Sequence, residues 1–318
     1  MPGDGRPPLL DLRLVFVTGK GGVGKTTVTA ALAQLAARRG KRVLACEVDA
    51  KGDLAALFEA APTDFAGREI VPGVVAMSMD TEASLREYLR LNLRIPVATR
   101  LGPLAKAFDF VATAAPGVRE ILTVGKFCYE VRERNYDLVV VDAPATGHIV
   151  GQLSAPQAIN ELVKVGLIRS QTDWMLEILS DPWRTGVVVV ATPEEMPVNE
   201  TIELSGRLAN ETTVQLSAVV VNRVLPELFG SHEEDVFDAL AEHHDLLSKL
   251  TGGDVEPVVE GARLAVTMRR TRAGHLQRLR EGLAPDVPML YLPYLFTRVH
   301  GLRTTKQVAT SLEEELGL

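Results

Sequence analysis

The chain of 318 residues carries 34 Lys and Arg against 41 Asp and Glu, a net charge of −7 with His neutral. That acidic balance argues against a generally basic nucleic-acid-binding surface, and no window of about 18 uninterrupted apolar residues offers a membrane span. A content of 46% hydrophobic but only 5% aromatic residues allows a large core built mainly on aliphatic packing.

No Pro-, Ser- or Gly-rich linker and no internal repeat divides the sequence, which predicts one domain over residues 1–318. The opening MPGDGRPPLL lacks a charged start followed by an apolar core, so a cytoplasmic protein is expected. Cys46, in a predicted buried strand, and Cys128, in a predicted helix, fit reduced structural thiols.

In chain order, LRLVFVT from Leu12 to Thr18 is a continuous apolar run, suited to a strand buried on both faces. The helix that follows has Val28, Leu32 and Leu35 on one face and ends at Arg38, Arg39 and Gly40. Between them lies GKGGVGKTT, in which Gly19, Gly24, Lys25 and Thr26 fit G-x-x-x-x-G-K-[ST]. Glycines there let backbone N–H groups curl round an anion, the helix N-terminus favours phosphate, and Lys25 reaches the outer phosphates. Gly21, Gly22, Val23, Gly24, Lys25, Thr26 and Thr27 are thus the candidate phosphate cradle. Lys20 is a second lysine in the same loop. Two ammonium groups about 4 Å apart would repel by roughly 4 kcal/mol, so without an anion they should splay. Lys20 either serves a phosphate on a second molecule or is a solvated lysine.

Further strands are predicted from Arg42 to Val48, Val74 to Met79, Asp137 to Asp142, Val187 to Thr192, Val214 to Asn222 and Val287 to Leu292. Most are Val-rich without polar alternation, the sign of a parallel sheet covered on both faces by crossover helices. The fold class is therefore α/β: a three-layer, mostly parallel sheet with helices on both faces, whose ligands belong at the strand carboxyl ends. Asp49 ends the second strand, either to orient an attacking water or as a helix cap or surface carboxylate. Asp142 ends the fourth, where it can hold a magnesium-bound water. Asn222 ends another, its amide suited to an adenine edge or simply to closing a strand. Helices are predicted from Glu82 to Leu101, Ala115 to Arg134 and Ile159 to Leu179, and the basic stretch from Arg263 to Arg280 reads as the solvated face of a late helix.

KGGVGKT resembles the deviant Walker A motif of the MinD/ParA, nitrogenase iron protein and ArsA/GET-type ATPases, and the whole chain is most similar to the ArsA/GET family. Asp49, Asp53, Leu54 and Phe58 match the spacing of that family's switch I, although Ala50-Lys51-Gly52 stands where Pro-Ala-His is usual. Asp142, Thr146, Gly147 and His148 reproduce its switch II pattern Asp-x-x-x-Thr-Gly-His, and Pro293-Tyr294 resembles its adenine loop. The resemblance implies a P-loop NTPase fold with ATP and Mg2+ as ligands, Thr26 and Asp142 holding the metal, and Asn222, Pro293 and Tyr294 around the base. It further implies a dimer, of identical chains or with a paralogue, in which Lys20 reaches the partner's phosphates. Lys20, Lys25 and Asp49 would be the catalytic set. An added helical layer, contributed by about 80–134 and 151–182, would bind a protein client; Leu85, Leu89 and Leu93 could line a groove, while structural packing is the alternative.

Departures narrow the branch. Two isolated cysteines supply neither a zinc Cys-x-x-Cys pair nor a metalloid cluster, and Ala143-Pro144-Ala145 lacks an iron–sulfur ligand. Two rivals remain: a spatial-positioning ATPase of the MinD/ParA kind, although SLEEELGL is acidic where an anionic membrane would repel it, and a metabolic P-loop ligase.

Overall fold

The computed structural model describes residues 7–49, 51–93, 117–163, 165–226, 233, 236, 239, 243–297 and 301–318. Eight strands form one sheet: β1 (Leu14–Gly19), β2 (Val43–Glu47), β3 (Arg68–Val71), β4 (Val74–Ser78), β5 (Leu138–Asp142), β6 (Thr185–Ala191), β7 (Leu216–Val224) and β8 (Met289–Pro293). Their spatial order is β3-β4-β2-β5-β1-β6-β7-β8, parallel throughout except for the β3–β4 pair. In β1, β2, β5 and β6 every residue is buried. That is why these segments read as unbroken apolar runs: neither face meets water.

Alternation along β1 divides the core into two layers. Val15 and Val17 pack with α1 (Lys25–Arg38), α2 (Asp53–Leu57) and α10 (Leu302–Glu315). Leu14 and Phe16 face the opposite layer, which draws buried residues from α4 (Val118–Arg132), α5 (Thr146–Leu162), α6 (Leu167–Leu179), α7 (Glu195–Glu211) and α9 (Glu256–Gly282). α3 (Thr81–Leu93) packs on α4, and α8 (His244–Thr251) packs on α9. Among the described residues no helix is long and apolar enough to cross a membrane.

Phe127 of α4 is fully buried, edge-on to Phe16 at 6.2 Å between ring centroids. Phe127→Ala should cost about 3–5 kcal/mol through lost contacts and a residual cavity, read as a lowered urea midpoint. Cys46 and Cys128 are buried and unpaired, and burial raises both thiol pKa values well above the ordinary range.

The predicted strands agree with the observed ones to within about two residues, with one strand missed. β3 is a short antiparallel edge whose Arg68 and Glu69 are exposed, so it carries no apolar pattern. The predicted helix from Ile159 to Leu179 is instead the end of α5 and all of α6, divided near Gly166, whose φ of 96° no helix interior accepts. The late basic helix is longer than expected, as α9. Positions 94–101 and 115–116 of the predicted helices lie outside the described residues.

Candidate functional site

The loop after β1 opens onto a cleft of about 500 Å³ lined by Gly21, Gly22, Gly24, Lys25, Thr26 and Thr27, together with Asp49 and Asp142. α1 starts at Lys25 with no side-chain cap, so its first N–H groups depend on whatever enters the cleft. Gly24 holds φ at 97°, and a Cβ there would lie 2.5 Å from Asn222 Nδ2. Only glycine meets both demands. Val23 is buried beneath the loop in the core that includes Val28. Lys25 Nζ donates to the Lys20 carbonyl at 3.5 Å, a long contact that a competing anion would readily replace.

Asp142 reaches this cleft because β5 lies beside β1, with Val17 opposite Asp142. Thr26 Oγ1 donates to Asp142 Oδ2 at 2.7 Å, while the buried Oδ1 has no hydrogen-bond partner. Burial is the main cause that pushes the Asp142 carboxyl up to about 6; the Thr26 hydrogen bond and Lys25 pull it down, and Glu47 and Asp49 push it up. A hydroxyl and a carboxylate whose buried Oδ1 is unpartnered are fitting donors for a hard divalent cation. Among the described residues no group of three or more His, Cys, Asp or Glu could hold a metal. A cation at Thr26 and Asp142 would therefore need phosphate or water oxygens to complete its shell, as Mg2+ usually does.

Glu47 and Asp49 occupy different roles. Glu47 is buried and accepts from the amides of Gly52 and Asp53 at 2.8 and 3.0 Å, which caps α2. The helix-cap role considered for Asp49 thus belongs to Glu47. Asp49 is more than half exposed, with Lys51 Nζ 4.0 Å from its Oδ2.

Lys20 does not line the cleft. Its ammonium forms an ion pair with Glu200 on α7, and Thr146 Oγ1 donates to the other Glu200 oxygen at 2.9 Å. Glu200 answers the repulsion expected between the two loop lysines by supplying a counter-charge to one of them. Burial pushes the Glu200 carboxyl up, yet the hydrogen bonds from Lys20 and Thr146 hold it below the usual carboxylate range. Motif spacing gave no sign of Glu200, which sits inside an amphipathic helix; only its apposition to the loop reveals it. His148 is exposed in the first turn of α5.

Asn222 adjoins the loop at a register shift between β7 and β8, next to Arg223 at φ 60°. Its Nδ2 donates to the Val23 carbonyl at 2.8 Å and its Oδ1 accepts from the Arg223 amide at 2.9 Å. Pro293 ends β8, and the Tyr294 amide donates to the Val224 carbonyl at 2.8 Å. Neither Pro293 nor Tyr294 lines the cleft. Tyr294 tilts on Phe296 at 4.8 Å between centroids, and Phe296 is 79% exposed. Phe296 was not singled out from sequence.

The sequence model of the family described as Anion-transporting ATPase matches residues 12–173 and 168–243. The chain is 35% identical over 229 residues to "ATPase BagA" of Mycobacterium tuberculosis, covering 69% of this chain and 67% of that protein. It is 27% identical over 270 residues to the "Arsenical pump-driving ATPase" of Acidiphilium multivorum, covering 78% of this chain and 44% of the relative. To "ATPase get3" of Schizosaccharomyces japonicus it is 33% identical over 155 residues, covering 47% and 46% respectively.

Proposed function

The chain belongs to the anion-transporting ATPase family and is an ATP hydrolase, and from that premise we propose a two-subunit switch of the ArsA/GET type, closed by MgATP and reopened by hydrolysis. The loop from Gly21 to Thr27 cradles the phosphates, with Lys25 on the outer ones. Thr26 and Asp142 hold Mg2+, which when bound neutralises charge on the transferring phosphoryl group. Asp49 orients the water that attacks the terminal phosphorus as the bond to the departing ADP oxygen breaks. Lys20 stabilises that charge on the partner's nucleotide, in the manner of an arginine finger supplied in trans. Asn222, Pro293 and Tyr294 form the base site. Asn222 would exchange its present hydrogen bonds for the adenine edge.

One observation carries this reading: Lys25, Thr26 and Asp142 line a common cleft, whereas Lys20, from the same loop, points out of it to Glu200. A lysine that contributes nothing to its own cleft is available to another.

The domain reading that accompanies this is a single ATPase domain with a helical subdomain from about 80–134 and 151–182. Its work is the capture and release of a protein client with apolar surface. Leu162, the last residue of α5, and Val165, between α5 and α6, are each 82% exposed and support an apolar contact at that edge. Relatives are named arsenical pump-driving ATPase and get3, and the acidic chain carries no comparable support for a DNA- or membrane-assembling reading.

Sedimentation of Asp49→Asn with ATP and Mg2+ tests the switch. The variant should bind nucleotide, turn over at least about a hundredfold more slowly, and accumulate as a species of twice the single-chain mass. A single-chain species at saturating nucleotide refutes the two-subunit reading.

A further inference from the structure

Among the described residues Glu200 is the acceptor for the Lys20 ammonium, and it also accepts from Thr146, the first residue of α5. Three segments distant in sequence therefore meet on one carboxylate: the loop after β1, the start of α5 and the second turn of α7. The segment that leads from β5 into α5 has two further ties to the β1 strand. Thr18 Oγ1 donates to the Pro144 carbonyl at 2.7 Å, and the Ala143 amide donates to Val17 at 2.9 Å. α5 in turn packs on α4, α6 and α7.

From this arrangement we infer that Glu200 is a latch: it holds Lys20 idle and pins the first turn of α5 while the cleft is empty, and it releases α5 when Lys20 leaves for a phosphate. The inference rests on the proposed role of Lys20 in trans and adds the element that senses its departure. The physical logic is competition for one cation. A triphosphate carries more charge than a carboxylate and offers several acceptor oxygens, so it outbids Glu200 only when brought within reach of Lys20. Before that event, the pair keeps two ammonium groups of one loop from repelling each other. Afterwards Glu200 keeps the hydroxyl of Thr146 but no longer the ammonium of the loop, so α5 loses the tie that joined it through Glu200 to the loop after β1. Glu200 does not line the cleft and acts as a positioning residue.

Hydrogen exchange on amides 150–153, whose acceptors lie in the first turn of α5, reads the latch directly. In the nucleotide-free full-length chain, Glu200→Gln should speed their exchange at least about fivefold, to the rate wild type reaches with a non-hydrolysable ATP analogue and Mg2+. Gln is isosteric and keeps an acceptor for Thr146, so a folding defect is not expected; Lys20→Met, which frees Glu200 from the other side, should speed exchange equally. Steady-state turnover adds a readout that simple loosening would not give. Glu200→Gln should raise kcat severalfold at dilute protein with KM for ATP changed by less than about threefold, whereas Lys20→Met should lower kcat. Wild-type exchange rates in both variants overturn the latch, as does a fall in kcat for Glu200→Gln matching that of Lys20→Met. If turnover per chain proves independent of protein concentration, the two-subunit reading fails by itself, and the exchange rates still decide whether Glu200 pins α5.

Discussion

Lys20→Ala is expected to lower ATP turnover by about a thousandfold or more, the effect typical of a cationic finger supplied in trans, while changing nucleotide affinity by less than about threefold. The separation of the two parameters follows from geometry. Lys20 lies outside the cleft lining and spends its charge on Glu200, so its removal takes nothing from the ground-state phosphate site. Lys25→Ala should behave in the opposite way and weaken binding itself, because Lys25 lines the cleft at the start of α1. Titration with a fluorescent ATP analogue and steady-state kinetics on the same preparations separate the cases. Turnover in Lys20→Ala equal to wild type would make the residue an ordinary solvated lysine.

Asp142→Asn should produce the second large effect, and it has two faces. Loss of the carboxylate proposed to hold the cation is expected to cut turnover at least about a hundredfold. Stability should respond differently. In the folded, ligand-free chain the Asp142 carboxyl sits at about 6 against an ordinary 3.8, chiefly because burial disfavours the charged form. Below 3.8 both folded and unfolded chains are protonated at this group, and its contribution to stability is fully present. As pH rises through about 6 the folded chain must surrender a proton that the unfolded chain has already lost, and that contribution disappears. The unfolding free energy of wild type relative to Asp142→Asn should therefore fall by about 2 kcal/mol between roughly pH 4.5 and pH 7.5. Other titrating groups change alike in both proteins, so the difference isolates Asp142. Urea denaturation across that range in the absence of nucleotide and metal checks it, and parallel pH curves for the two proteins would contradict the burial argument. The same buried, unpartnered oxygen that costs stability is what makes the position fit for a divalent cation.

The parallel sheet and the phosphate loop were legible because their signals are local. The Val-rich runs at β5, β6 and β7 report two-sided burial directly, and the glycines of the loop report backbone freedom at the junction of a strand and a helix. β3 was missed for the complementary reason: an edge strand of four residues with Arg68 and Glu69 exposed carries no periodic apolar signal. The division between α5 and α6 was missed because apolar residues continue across it, from Leu162 through Val165 to Leu167, although the first two lie exposed beside the break.

The sequence by itself determined the α/β class, the loop from Gly19 to Thr27, and the carboxylates at the ends of β2 and β5, since each follows from residue types within one short segment. What only the tertiary structure decided was pairing across distance. β1 lies between β5 and β6, so the loop after β1 emerges beside Asp142 on one side and beside α7, which follows β6, on the other. That neighbourhood assigns Thr26 to Asp142, Lys20 to Glu200 and Asn222 to the carbonyl of Val23. Glu47 rather than Asp49 caps α2 for the same kind of reason: Glu47 closes β2 within the sheet, where the amides of Gly52 and Asp53 reach it, whereas Asp49 lies two residues beyond the strand and is exposed. Spacing along the chain shows which side chains are available; the order of strands in the sheet determines which of them meet.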